Sequence, residues 1–76
     1  MSNYNGHKNW NHWNVSLWIN NDAGLYSVAV HLVRGCRNRD RAAELMLAQV
    51  LCNIGDRTPD GAKYTKSSIR AAMVGM

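Results

Sequence analysis

The chain has 76 residues, 46% of them apolar and 18% charged, with nine Lys plus Arg against five Asp plus Glu and a formal net charge of +4. A chain of this size is expected to fold as one helical domain over 1–76 that hides roughly 60% of its unfolded surface, which excludes an enzyme with a separate cofactor domain. No run approaches the roughly 18 consecutive apolar residues that cross a bilayer, and Met1 to Gly6 lacks the basic and then apolar pattern of an export signal. A cytoplasmic location, in a host cell, is the expectation.

Residues 1–8 are polar, apart from Met1 and Tyr4, and aperiodic, and are expected to form a loosely held arm. From Trp10 the apolar residues Trp10, Trp13, Leu17 and Trp18 fall at helical spacing behind Asn9, a suitable N-cap. Phe is absent and all three Trp lie between Trp10 and Trp18, so this stripe is expected to anchor the core. His12 then falls on the polar side, and Asn14 beside the stripe is expected to bond a neighbouring backbone or indole group. The cluster Asn20-Asn21-Asp22 ends the first helix and caps the next.

A second helix is predicted from Asp22 or Ala23 to Arg34, with Leu25, Val28, Ala29 and Leu32 on one stripe and Tyr26, Val30 and Val33 beside it, a width that implies burial on two sides. Tyr26, Val28, Val30 and Leu32 also alternate as in a strand; the length of the apolar set and the Arg34-Gly35 ending favour helix. Asn38 caps a third helix over Arg39–Asn53, in which Ala43, Leu47, Val50 and Ile54 hold the period until Gly55. In Thr58-Pro59-Asp60-Gly61, Pro59 suits the second position of a turn and Gly61 the fourth. Thr65 offers an N-cap to a short last helix, from Lys66 to about Val74, with Ile69 and Met73 facing inward. The expected fold class is all-α, a compact bundle of three longer helices and a short one.

Metal binding needs converging ligands, and His7, His12, His31, Cys36 and Cys52 contain neither a close Cys pair nor a His-x3-His step. The two cysteines are expected to be free, buried thiols. Cys36 lies among arginines, but no base, positioning carboxylate or oxyanion loop accompanies it. No catalytic residue is assigned, and no metal or cofactor is expected. The charge is more informative. Arg34, Arg37, Arg39 and Arg41 crowd one interhelical bend and suit an acidic protein surface or phosphates, although Arg34 also complements a helix end and the others suit a solvated bend. Arg57, Lys63, Lys66 and Arg70 form a second set, a nucleic-acid footprint if both sets share a face. The Trp cluster admits base stacking as an alternative to a core role.

Tyr4-Asn5-Gly6, Asn9-Trp10, Trp13-Asn14-Val15-Ser16-Leu17-Trp18 and the Asn20 to Tyr26 segment resemble the opening of small phage and prophage proteins. That resemblance covers about the first 26 residues and implies an accessory protein directed at a host system, anti-CRISPR proteins among them. It carries over no functional residue. Ala43-Glu44-Leu45 through Asn53-Ile54-Gly55, with Thr58 to Gly61, Tyr64-Thr65 and Ile69-Arg70, is similar to the helix pair of serine recombinases, with Tyr64 at a usual Trp position and a connection longer than a simple helix-turn-helix allows. In those proteins the last helix lies near DNA.

Together these features lead to the expectation of a non-enzymatic phage-type protein that binds and inhibits a host protein or ribonucleoprotein complex through Arg34, Arg37, Arg39 and Arg41. The alternative is a small DNA- or RNA-binding regulator using Arg57, Lys63, Lys66 and Arg70. A dimerising phage component is a third possibility.

Overall fold

In the computed structural model, residues 9–76 are described, and the expected N-terminal arm lies outside them. Four helices form among these residues: α1 (Trp10–Asn21), α2 (Ala23–Gly35), α3 (Arg39–Asn53) and α4 (Lys66–Ala72). The protein is thus all-α, three longer helices and one short, and the 23–35 segment is helix rather than strand. No helix among the described residues is long and apolar enough to cross a membrane.

Each helix starts where a short polar side chain replaces a missing backbone partner. Asn9 accepts from the His12 N–H at 3.0 Å, Asp22 from Leu25 at 3.0 Å, and Asn38 from Arg41 at 2.8 Å. At α4 the arrangement is reciprocal: Thr65 Oγ1 accepts from the Ser68 N–H, while Ser68 Oγ accepts from the Thr65 N–H. Such caps are worth about 1 kcal/mol each. They matter most for α4, whose seven residues are far below the roughly 12 to 15 at which an isolated helix becomes even marginal in water.

The helices pack in a ring, each against two others: α1 on α2 and α4, and α3 on α2 and α4. Between α3 and α4 the chain makes a small hairpin. The Gly61 N–H bonds the Thr58 carbonyl at 2.8 Å, closing the expected turn around Pro59 and Asp60, and Gly61 takes the positive φ of 96° that suits glycine. Arg57 and Lys63 pair across it as an isolated antiparallel bridge.

The core consists of Val15, Ile19, Ala29, Ala42, Ala43, Met46, Val50, Ala62, Tyr64, Ile69, Ala72 and Met73. Ile69 and Met73 face inward as expected. The tryptophan stripe does not. Trp10 is 41% and Leu17 37% exposed, and Trp13 and Trp18 are half-buried, whereas Val15 and Ile19 are fully buried. The reason lies in the partners. Five of the twelve core residues are alanine, and small side chains let helices approach too closely to house an indole.

Three triplets, each with the spacing i, i+3, i+7, divide the surface of α1. His12, Val15 and Ile19 face the core. His12 therefore lies in the interior rather than on the polar side, its Nε2 3.2 Å from Ser67 Oγ of α4. Asn11, Asn14 and Trp18 face the hairpin. Trp10, Trp13 and Leu17 face away from both.

The hairpin-facing triplet is the principal long-range polar contact. The Asn11 amide donates to the Lys63 carbonyl at 2.8 Å and accepts from the Lys63 N–H at 2.9 Å. Asn14, only 2% exposed, donates to Asp60 Oδ2 at 2.9 Å and accepts from the Thr58 hydroxyl at 2.6 Å. The Trp18 indole N–H reaches the same Asp60 oxygen at 3.0 Å. Asn14 thus serves a hydroxyl and a carboxylate in place of the backbone or indole partner expected for it. Other departures are local: Tyr26 and Ile54 are exposed, so α2 is not covered on both sides and the α3 stripe ends at Val50. Cys36 is half-buried and Cys52 exposed, both free.

These assignments separate the faces of α1 by stability. Ile19→Ala is expected to cost about 2 to 5 kcal/mol in urea unfolding, and Leu17→Ala less than about 0.5 kcal/mol. Asn14→Ala, which strands Thr58 and Asp60, is expected to cost about 2 to 3 kcal/mol.

Candidate functional site

The bend between α2 and α3 is short because each helix end is closed locally. The Cys36 N–H bonds the Leu32 carbonyl at 2.9 Å, and Asn38 begins α3 two residues later. Arg34, Arg37, Arg39 and Arg41 are all exposed, yet their surroundings differ. Arg41 is paired with Glu44 at 2.6 Å. Arg39 Nε donates to the Met73 carbonyl at 3.2 Å, so it fastens the start of α3 to the end of α4. Arg34 and Arg37 make no ion pair with a described residue.

Arg34 also closes one end of a shallow groove of about 400 Å³ on the outer side of α2, lined by Tyr26, Ser27, Val30 and His31. The groove offers an aromatic ring, an imidazole, a hydroxyl and a guanidinium within two turns of helix. Those groups suit a partner side chain or peptide bearing acidic or aromatic groups. The sequence reading did not single out Tyr26 and His31 as site residues. The available signal was their position one and two turns before Arg34 on an otherwise apolar helix.

The second basic set is engaged differently. Lys66 Nζ lies 2.7 Å from Asp40 Oδ2, and Arg70 Nε 3.8 Å from Asp40 Oδ1. Arg57 donates to the Gly61 carbonyl at 3.1 Å within its own hairpin. Lys63 is exposed, its backbone held by Asn11. The two sets therefore meet only in part: Arg39 and Asp40 bring the α3 start to Lys66 and Arg70, while Arg57 and Lys63 sit on the hairpin against α1.

Asp40 is the pivot of that meeting. The hydrogen bond from Lys66 holds its carboxyl below the ordinary carboxylate range; partial desolvation opposes this, and the charges of Lys66 and Arg70 add to it. The same hydrogen bond raises Lys66, with Asp40 and Glu44 supporting its charge and Arg70 and desolvation opposing it. Asp60 is also lowered, chiefly by the Asn14 hydrogen bond and then by that of Trp18. Burial raises Tyr64, and the nearby charge of Asp22 adds to that. Among the described residues no group of three or more His, Cys, Asp or Glu is placed to hold a metal ion.

The chain belongs to DUF7249, a family of unknown function, whose sequence pattern matches residues 1–76. Neither a curated protein nor a solved structure matches it.

Two outcomes follow from these pairings. Asp40→Asn removes the charge that occupies Lys66 and Arg70, so the variant is expected to elute from a heparin column at higher salt than the wild type, with unchanged helical circular dichroism. Because Asp40 and Asp60 are depressed in the folded state, their stabilisation is complete above the unfolded value near pH 4 and is lost as pH falls through the lower folded values. Urea midpoints measured from pH 5 down to pH 2 are expected to fall more steeply for the wild type than for Asp40→Asn/Asp60→Asn.

Proposed function

We propose that this protein is a non-enzymatic accessory protein of phage type that binds and inhibits a host protein or ribonucleoprotein complex, in the manner of an anti-CRISPR. The observation that carries this reading is the outward pair Arg34 and Arg37 at the bend, Arg39 and Arg41 being held by the Met73 carbonyl and Glu44. Arg34, which closes the Tyr26–His31 groove, and Arg37 are exposed without an ion pair to a described residue, whereas Lys66 and Arg70 already share Asp40 and Arg57 is turned onto Gly61. A guanidinium that pairs planar acceptors bidentately and stacks on aromatic groups suits a mixed protein or ribonucleoprotein surface. The resemblance of the first 26 residues to small phage proteins supports the same direction.

Reading nucleic acid with Arg57, Lys63, Lys66 and Arg70 is supported less well, because Asp40 sets a negative charge between two of the four cations. Phosphate would have to compete with that carboxylate for both of them.

The test is affinity capture from host-cell lysate, with mass spectrometry of protein and nucleic acid, using the full chain and Arg34→Ala/Arg37→Ala. A host protein or ribonucleoprotein subunit is expected with the wild type, reduced by about tenfold or more in the double variant. Recovery of nucleic acid alone, or of a protein partner indifferent to both arginines, overturns the proposal.

A further inference from the structure

Another hollow, about 290 Å³ in volume, lies between the start of α2 and the last turns of α3. Leu25, Val28, Val50 and Ile54 give it apolar walls, and its size is near the lower end of the roughly 300 to 1,000 Å³ of small-molecule sites. It shares no residue with the arginine groove on the Tyr26–His31 side of α2. It also sits at the Asp22 end of α1, a helix about 18 Å long, and so far from where the described chain begins.

Charge decides what this hollow holds. Its lining contains no Lys, Arg or His, although the chain carries nine Lys plus Arg and a net charge of +4. One wall instead presents Asp22. Its Oδ1 accepts from the Leu25 N–H at 3.0 Å, and its carboxylate makes no ion pair with a described residue. A Cβ added at Gly24 would stand 3.3 Å from that oxygen, so glycine, a poor helix former, leaves the carboxylate uncrowded in the first turn of α2. The opposite wall is the C-terminal end of α3, where aligned peptide dipoles leave a partial negative charge and the last turn holds no basic residue to answer it. Asn53 Nδ2 donates to the Gln49 carbonyl at 2.9 Å, which leaves Asn53 Oδ1 as a further acceptor. Carboxylate and helix end both favour a cation, and no charge in the lining favours an anion.

We infer that this hollow binds a small organic ammonium ion with an apolar body, of the primary alkylamine class. The alkyl chain lies against Leu25, Val28 and Ile54, while the ammonium, a donor of three hydrogen bonds, faces Asp22 and the α3 end. A carboxylate on the same body would bring two negative charges together. An alcohol would keep the apolar contact and lose the ionic one.

NMR titration of the nitrogen-15-labelled full chain at pH 7 with hexylamine, hexanol and hexanoate tests this. Saturating shifts are expected at the amides of Leu25, Val28, Val50 and Asn53, with hexylamine about tenfold or more tighter than hexanoate and hexanol between them. Asp22→Asn preserves the cap of α2, because asparagine caps as well as aspartate, and is expected to weaken hexylamine by about fivefold or more with hexanol unchanged. Ile54→Ala is expected to weaken hexylamine and hexanol alike. Arg34→Ala/Arg37→Ala is expected to bind hexylamine as the wild type does, so failure here is distinguishable from failure of the proposed function. Absence of saturable shifts at these amides overturns the inference, as does hexanoate binding as tightly as hexylamine or an Asp22→Asn variant with wild-type hexylamine affinity. So does tighter binding of N-acetyl-lysine amide than of hexylamine, which assigns the hollow to a protein side chain instead.

Discussion

A carboxylate and three side chains of α1 hold the hairpin between α3 and α4 in place. Asp60 collects the Asn14 amide and the Trp18 indole on one oxygen, while Thr58 and the Lys63 backbone close the set with Asn14 and Asn11. Ala62 and Tyr64 of the hairpin are core residues, and α4 begins two residues after Tyr64, so the position of the last helix depends on this contact. The contact tolerates burial because it is complete: among the described residues no buried side-chain nitrogen or oxygen lacks a hydrogen-bond partner.

The same contact explains the unusual use of α1. A helix that must offer amides to a hairpin and a slim profile to an alanine-lined core has one remaining direction for bulky rings. Trp18 satisfies two demands at once, with its indole N–H on Asp60 and its ring half-buried. Among the described residues Trp10 and Leu17 have no such partner. Polar anchoring of the hairpin and exposure of the aromatic stripe are therefore two sides of one arrangement.

Local chemistry was legible in the sequence to the residue. Asn9, Asp22, Asn38 and Thr65 cap as their side chains predict, the Pro59 turn closes as its positions require, and four helices follow in the expected order. The orientation of α1 was not legible from apolar spacing, because two triplets two positions apart, 10-13-17 and 12-15-19, both fit a helix, and the bulkier of them is the one that does not face the core. What decides between them is the volume of the facing side chains, which belong to Ala29, Ala42, Ala43 and Ala72 on other helices. The spacing of Asn11, Asn14 and Trp18 carried the missing information, as a polar stripe rather than an apolar one. The arginine bend was legible as a set of charges, but its division into tethered and outward members depends on Glu44 and the Met73 carbonyl.

Sequence separation adds a kinetic meaning to the Asp60 contact. The caps of the four helices each span three residues, whereas Asn14 and Asp60 are 46 apart and Asn11 and Lys63 are 52 apart. Loop-closure entropy grows with the logarithm of that separation, so the helices α1 to α3 can form and pair with their chain neighbours before α1 meets the hairpin. The α1–hairpin contact is thus the step at which the chain closes on itself, and until then α4 has its capping box and its contacts with α3 through Arg39 and Asp40, but not its packing on α1. Ring closure of the bundle is in this way the event that completes the packing of its last helix, and the amides of α1 supply the joint.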